Sequence, residues 1–203
     1  MLAYVFWHRP RDPEASEDYE RALIAFHRSL ARSLPVGTRA SATFRAAALP
    51  WPAAEDAGDV GVTASGYEDW YLLDDWAALG VLNEAAVGRG HSTSHDEAAR
   101  RAGPGTASIY ALIEGEPCAE SFGAASRAAW IAPPAGRHRD GLGELLGDGM
   151  QPASASLWRR QLVLGPAAEF CLLADELPPG VAPARLPDGW TVTVLEREVL
   201  WSG

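Results

Sequence analysis

A histidine and two arginines occupy predicted strand positions from which they could act on a small molecule. His8 shares a strand face with Tyr4 and Phe6, because side chains alternate between the two faces of a strand. Imidazole exchanges protons near neutral pH, so His8 is predicted as a general base. Arg45 and Arg159 occupy matching places in the similar stretches FRAAALPW and WRRQLVLG. A guanidinium group binds and polarises an oxyanion, so both arginines are predicted as electrophilic catalytic residues.

Three further residues are predicted to contact the ligand. Gln161 lies on the same side of its strand as Arg159, Tyr71 would form an aromatic wall, and Trp158 would stack on a ring. Together these residues suit a small anionic or enolisable molecule. The alternative interpretation is structural: His8 would close the end of an edge strand, and the arginines would pair with nearby acidic residues.

His91 and His95, within GRGHSTSHDE, are the weak candidates for a metal site. Their i, i+4 spacing can place two imidazoles on one helix face. No HExxH glutamate lies between them, and two glycines precede them, which favours a solvated loop. The chain has two cysteines and neither lies in a CxxC pair, so they cannot form a multi-cysteine site. The sequence therefore predicts no metal and no cofactor.

The balance of charge limits the partners and the chemistry. The 203-residue chain has a net charge of −10, and all 17 of its basic residues are arginine. The lack of lysine excludes Schiff-base chemistry, pyridoxal phosphate attachment and the P-loop lysine. Scattered positive charge in an acidic chain disfavours nucleic acid. No apolar run approaches about 20 residues, and the N-terminus resembles a strand rather than a leader, so we expect a cytoplasmic protein without a membrane partner.

An internal similarity indicates that the chain arose by duplication. The stretch DWYLLDD at 69–75 matches EFCLLAD at 169–175, with acids, aromatic residues and two leucines in corresponding places. Weaker matches surround it in the same chain order: VFWHRP with AWIAPP, FRAAALPW with WRRQLVLG, and SIYALIEGE with TVTVLERE. Repeats of this kind indicate two copies of one structural unit.

Hydrophobic periodicity predicts the order of elements in each copy. In the first copy we expect a β-α-β-β-α-β order, the ferredoxin-like unit. Its strands are predicted at 2–9, 38–49, 67–73 and 107–115, and its helices at 12–34, 74–88 and 95–102. The second copy keeps four strands, at 128–132, 155–164, 168–174 and 190–200. Its first helix shrinks to RDGLGELLG, and the proline-rich stretch 176–189 replaces the second.

On this element order and repeat, the chain resembles the dimeric α+β barrel superfamily. The resemblance implies an α+β fold in which two ferredoxin-like βαββαβ repeats form an intramolecular α+β barrel, the second with reduced helices. The repeats would span 1–116 and 127–203, joined by a linker at 117–126. The superfamily includes cofactor-free monooxygenases, isomerases, haem-binding members and proteins without known activity, so the fold does not decide among them.

Two functions follow from this architecture. The first is binding of a small molecule in a cavity between the two sheets, with cofactor-free monooxygenase- or isomerase-type chemistry that uses His8, Arg45 and Arg159. The alternative is a non-catalytic binding or interaction protein whose barrel is filled by aromatic side chains. Whether the tandem barrel assembles further into a homodimer stays open at this point.

Overall fold

Segments rich in apolar and aromatic residues form eight strands in the described part of the computed structural model. The structure describes residues 1–47, 49, 65–88, 90–136, 141–146, 155–163, 167–182 and 185–203. The strands are β1 Leu2–Pro10, β2 Thr38–Ala46, β3 Gly66–Leu73, β4 Ala102–Glu114, β5 Arg127–Ala132, β6 Ser156–Val163, β7 Phe170–Ala174 and β8 Thr191–Ser202. Among the same residues, no helix is long and apolar enough to cross a membrane.

Within the described ranges, five α-helices accompany the strands: α1 Ser16–Arg32, α2 Trp76–Asn83, α3 Ser92–Arg101, α4 Ala119–Ala124 and α5 Leu142–Leu146. A π-helical turn, Glu84–Gly88, follows α2. The side chain of Asp75 accepts a hydrogen bond from the backbone N–H of Ala78 at 3.0 Å and caps the N-terminus of α2. Within the described part of 176–189, a single 3₁₀ turn at Pro179–Val181 stands in place of a regular helix.

The eight strands form one closed antiparallel barrel in the order β1-β3-β2-β8-β5-β7-β6-β4. The prediction of two ferredoxin-like α+β repeats is therefore wrong. Strand β2 pairs with β8 and β4 pairs with β6, so strands from both halves of the chain belong to a single wall. Closure satisfies the backbone N–H and C=O groups that would line the edges of two separate sheets. Hydrophobic periodicity carries no information about such pairing between distant strands.

Aromatic side chains fill the barrel interior along the described strands. The indole rings of Trp7 and Trp130 lie 5.0 Å apart between centroids, and those of Trp70 and Trp158 lie 5.8 Å apart. Their indole rings pack with further buried rings: Phe44, Tyr110 and Phe122. The sequence predicted a ligand cavity in this space, but large side chains occupy it instead.

A fully buried ion pair lies among these rings. Arg197 on β8 donates to Glu68 on β3 at 3.0 Å, and both side chains are completely buried. The indole N–H of Trp7 donates to the other oxygen of Glu68 at 2.9 Å. The guanidinium group of Arg197 also lies 4.0 Å from the ring centroid of Phe44. The carboxylate and the guanidinium thus compensate each other inside the apolar barrel.

The N-terminal helices cover one part of the outer barrel surface. Helix α1 packs its buried side against the barrel and α3, which explains why its apolar residues recur every three to four positions. A second apolar layer covers the outer surface of β5 to β8 and includes residues of α5 and the 3₁₀ turn. The predicted linker at 117–126 contains α4, whose Phe122 reaches the interior cluster. The predicted boundaries of the two halves, 1–116 and 127–203, stay a prediction.

Candidate functional site

Strand alternation places His8 on the outer surface of the barrel, beneath α1. Its neighbour Trp7 points inward, and both side chains are fully buried. The pairing of β1 with β3 sets His8 opposite Tyr67, and their rings stack at a centroid distance of 5.7 Å. The predicted base is therefore present at a polar site, but on the opposite side of the wall from the predicted cavity.

Asp69 joins two buried histidines. Its Oδ2 lies 3.1 Å from His8 Nε2, and its Oδ1 lies 3.5 Å from His27 Nε2. The second distance is long for a hydrogen bond. The other ring nitrogens contact hydroxyl groups, with Tyr19 2.6 Å from His8 Nδ1 and Ser41 2.9 Å from His27 Nδ1. These five residues are called the histidine–aspartate cluster below.

The electrostatics of the cluster favour a charged carboxylate and protonated phenols. Burial by itself raises the pKa of Asp69, but His8 and His27 outweigh burial and hold that pKa well below its ordinary value. Burial, and then the charge of Asp69, raises the pKa of Tyr19 and of Tyr71. Both tyrosines are therefore hydrogen-bond donors at neutral pH, and the Tyr71 hydroxyl donates to Asp69 Oδ2 at 3.4 Å.

Two adjoining clefts lie between the outer barrel surface and helices α1 to α3. The small cleft has a volume of about 270 Å³, and its walls include Tyr19, His8 and Asp69. The large cleft has a volume of about 570 Å³, within the roughly 300–1,000 Å³ typical of small-molecule sites. Both clefts share four aromatic wall residues: Phe6, Phe26, Tyr71 and His95.

The large cleft has mainly apolar walls. Tyr4 stacks on Tyr71 at a centroid distance of 5.8 Å, and aliphatic residues of α2 and the π-helical turn face them. His95 contacts the edge of Phe26 at 5.4 Å and keeps 31 % of its side chain exposed. The two clefts therefore form an aromatic chamber that adjoins the buried histidine–aspartate cluster.

Of the predicted site residues, the structure brings His8 and Tyr71 together at the clefts. Arg45 lies apart from them, next to Glu20. It forms ion pairs with Glu20 at 2.8 Å and with Glu198, and Glu20 accepts a hydrogen bond from the Tyr67 hydroxyl at 2.9 Å. The hydrogen bond from Arg45 lowers the pKa of Glu20. Arg45 is not part of either cleft wall.

The predicted residues of β6 lie elsewhere on the barrel. Arg159 pairs with Glu169 at 3.3 Å. Trp158 is fully buried in the interior, where its indole N–H donates to Ser156 at 2.9 Å. Gln161 is exposed, and its amide nitrogen lies 3.3 Å from the backbone oxygen of Arg159. The structure thus does not bring Arg159, Trp158 or Gln161 to His8.

The two metal candidates have separate environments. His91 is buried between α1 and α3, where its Nδ1 lies 2.8 Å from the Ser29 hydroxyl. His95 faces the clefts instead. In the part of the chain that the structure describes, no group of three or more histidine, cysteine, aspartate or glutamate side chains is placed to hold a metal ion. In the histidine–aspartate cluster, each imidazole faces a different oxygen of Asp69 rather than a shared central space.

Sequence reasoning missed four members of this site. Tyr19 and His27 lie eight residues apart and hence on one side of α1, which the pattern of leucines marked only as apolar. Asp69 lies within the fully buried strand β3, where a carboxylate requires a partner. The need for such a partner is the sequence signal that could have identified Asp69. Ser41 gave no signal of its own, because its contact with His27 depends on how α1 packs against β2.

Comparison with known proteins supports the fold. No family model matches the chain, and no curated protein matches it. An anthrone oxidase-like protein of known structure has a TM-score of 0.53 at 9 % identity, covering 100 % of this chain and 92 % of that one. A protein named as a monooxygenase of Lactobacillus acidophilus NCFM has a TM-score of 0.52 at 7 % identity, covering 97 % and 93 %. The chain therefore shares its fold with an anthrone oxidase-like protein and a protein named as a monooxygenase, and the predicted tandem ferredoxin-like repeat is not confirmed.

Proposed function

We propose that the protein binds a small, neutral, enolisable aromatic molecule in the outer clefts and removes a proton from one of its carbon atoms. The observation that carries this proposal is the line of contacts Tyr19–His8–Asp69 at the wall of the small cleft. A hydroxyl, an imidazole and a carboxylate in this order form an acid–base triad, in which the carboxylate orients the imidazole.

The cleft walls support a neutral ligand. Four aromatic side chains suit a flat ring system. An anionic ligand, which the sequence also suggested, would need the arginines, yet Arg45 and Arg159 pair with glutamates outside the clefts. The Asp69 carboxylate in the wall of the small cleft would also repel negative charge on the ligand.

Proton transfer can proceed through Tyr19. Its raised pKa keeps the phenol protonated at rest, so the Tyr19 oxygen would take the substrate proton as its own proton moves to His8 Nδ1. Asp69 would stabilise the imidazolium that forms, at 3.1 Å from Nε2. The resulting carbanion would donate electrons to dioxygen, and a carbon–oxygen bond would form. In balance, a CH₂ group and O₂ become a ketone and water.

The two fold relatives named as an anthrone oxidase-like protein and a monooxygenase agree with oxidation as the second half of this reaction. Proton removal without oxidation would instead amount to isomerase-type chemistry. Both routes share the first step, and the proposal includes no cofactor.

Anthrone, a neutral aromatic carbon acid, tests both steps separately. Under anaerobic conditions in D₂O, we expect the protein to accelerate deuterium exchange at the CH₂ group, as measured by NMR. In air, we expect oxygen uptake and formation of anthraquinone above the rate without protein. His8→Asn should lose both activities. Exchange without oxygen uptake would favour isomerase-type chemistry, and equal rates for the wild type and His8→Asn would overturn the proposal.

A binding function without catalysis is the second candidate, because aromatic side chains fill the barrel interior in the described strands. In that case anthrone would bind, as seen by quenching of tryptophan fluorescence, while neither exchange nor oxidation would exceed the background. The same preparation can be used for all three measurements.

A further inference from the structure

We propose that His27 is a positioning residue that shares the Asp69 carboxylate with His8 and thereby limits how tightly His8 holds a proton. The inference rests on the proposed function, since it assigns a task to the half of the histidine–aspartate cluster that lies away from the clefts. His27 is fully buried and does not line either cleft.

The two halves of the cluster have the same construction. On each side a hydroxyl group contacts Nδ1 and the carboxylate faces Nε2, with Tyr19 for His8 and Ser41 for His27. A neutral imidazole that accepts a hydrogen bond from the hydroxyl at Nδ1 carries its own N–H at Nε2. Each Nε2 therefore faces its own oxygen of Asp69, at 3.1 Å for His8 and 3.5 Å for His27.

The surroundings hold His27 in this position. Its ring stacks on Tyr71 at a centroid distance of 5.3 Å and lies 5.6 Å from Trp201 of β8. Ser41 is itself fixed, because its backbone N–H donates to the carbonyl oxygen of Gly203 at 2.8 Å. Trp201 of β8 thus packs against the imidazole ring of His27.

Sharing one carboxylate makes the two rings competitors. A neutral His27 turns the positive end of its N–H dipole towards Asp69 and partly offsets the carboxylate charge, and a protonated His27 repels a proton on His8. Either state weakens the attraction of Asp69 for a proton on His8, so the direction of the effect does not depend on the protonation of His27. During turnover this competition would help His8 to release the proton it has taken up.

Other groups around the rings leave this direction unchanged. His8 faces Tyr19 from α1 and Tyr67 from β3, and Tyr67 donates to Glu20. Around His27, the groups are Ser41 from β2, Tyr71 and Asp69 from β3, and Trp201 from β8; His95 of α3 contacts Phe26, the neighbour of His27. All of these groups remain in a His27 variant, so a change in His8 reports on the shared carboxylate.

The test is a histidine titration by NMR in the His27→Phe variant, which keeps a ring of similar shape and removes both polar contacts. We expect the pH at which the His8 ring resonances titrate to rise by about one unit, a roughly tenfold gain in proton affinity. His27→Gln, which can again offer an N–H to Asp69, should move His8 back towards its wild-type behaviour. His91→Gln is the control, since it removes another buried histidine that does not contact Asp69.

An unchanged His8 titration in His27→Phe would overturn the inference. If that variant does not fold, the wild-type protein decides: coupled, two-step titrations of the two rings support a shared carboxylate, and independent single-proton curves contradict it. These titrations need no substrate, so their outcome does not depend on whether the protein acts on anthrone. Where activity is present, the acid limb of the kcat–pH profile should move to higher pH together with the His8 titration, while KM stays unchanged.

Discussion

Trp7 and His8 are adjacent in the sequence and lie on opposite sides of the barrel wall. The indole of Trp7 donates to Glu68 in the interior, and the imidazole of His8 contacts Asp69 on the outer surface. The same alternation sends Glu68 inward and Asp69 outward on β3, which pairs with β1. Two neighbouring dipeptides therefore supply both the buried ion pair of the core and the polar centre of the candidate site.

Tyr19→Phe should lower the rate of deuterium exchange into anthrone by about a hundredfold, because it removes the hydroxyl that links the cleft to His8. Tyr67→Phe is the matched control. It removes a hydroxyl that donates to Glu20 but keeps the ring that stacks on His8, and its rate should stay near that of the wild type. Equal losses in the two variants would mean that the contact of the Tyr19 hydroxyl with His8 has no special part in the exchange reaction.

Asp69→Asn should reduce the free energy of unfolding by roughly 3 kcal/mol at pH 7, because two buried imidazoles lose their carboxylate. The folded protein lowers the pKa of Asp69, so this residue stabilises the fold above the ordinary carboxyl pKa of about 4 and loses that contribution as the pH falls further. The difference between wild type and variant should therefore shrink between about pH 4 and pH 3 in urea titrations. A constant difference over this range would argue against a charged Asp69.

Gly105→Ala should narrow the clefts. Gly105 pairs with His8 across β4 and β1, and a Cβ atom there would lie 2.5 Å from Cζ of Phe6. The Phe6 ring would move towards the space it lines, so binding of the neutral probe 1-naphthol should weaken by about tenfold. Fluorescence titration measures this change.

Gly143→Ala is the matched control for that substitution, because an added Cβ on α5 meets nothing within 4 Å. It should leave the affinity for 1-naphthol unchanged. A loss of affinity in both variants would point to a general effect on stability instead of a local effect of Phe6.

Glu68→Gln should destabilise the protein by about 3 kcal/mol or more, because Arg197 then stays charged and uncompensated inside the barrel. The double variant Glu68→Gln with Arg197→Met removes that charge and should recover part of the loss. Chemical denaturation of the four proteins in this cycle gives the coupling free energy. Strictly additive losses would show that the two side chains do not stabilise each other.

Local features of the chain were predictable from the sequence. The alternation in β1, the fully buried β3, the spacing of apolar residues in α1 and the Asp75 cap all follow from interactions within a few residues. Such interactions are short in range, and hence a linear pattern records them. The same reasoning identified His8 as a polar residue on a strand and Tyr71 as an aromatic wall.

Tertiary structure decided the closure of the barrel, the side of the wall that offers space and the partners of each polar group. Closure depends on the pairing of β2 with β8 and of β4 with β6, which lie far apart in the chain. Because large rings fill the interior, the clefts lie on the outer surface, where α1 brings Tyr19 and His27 to Asp69. A sequence pattern shows which residues share a side of an element, but only packing determines what that side meets.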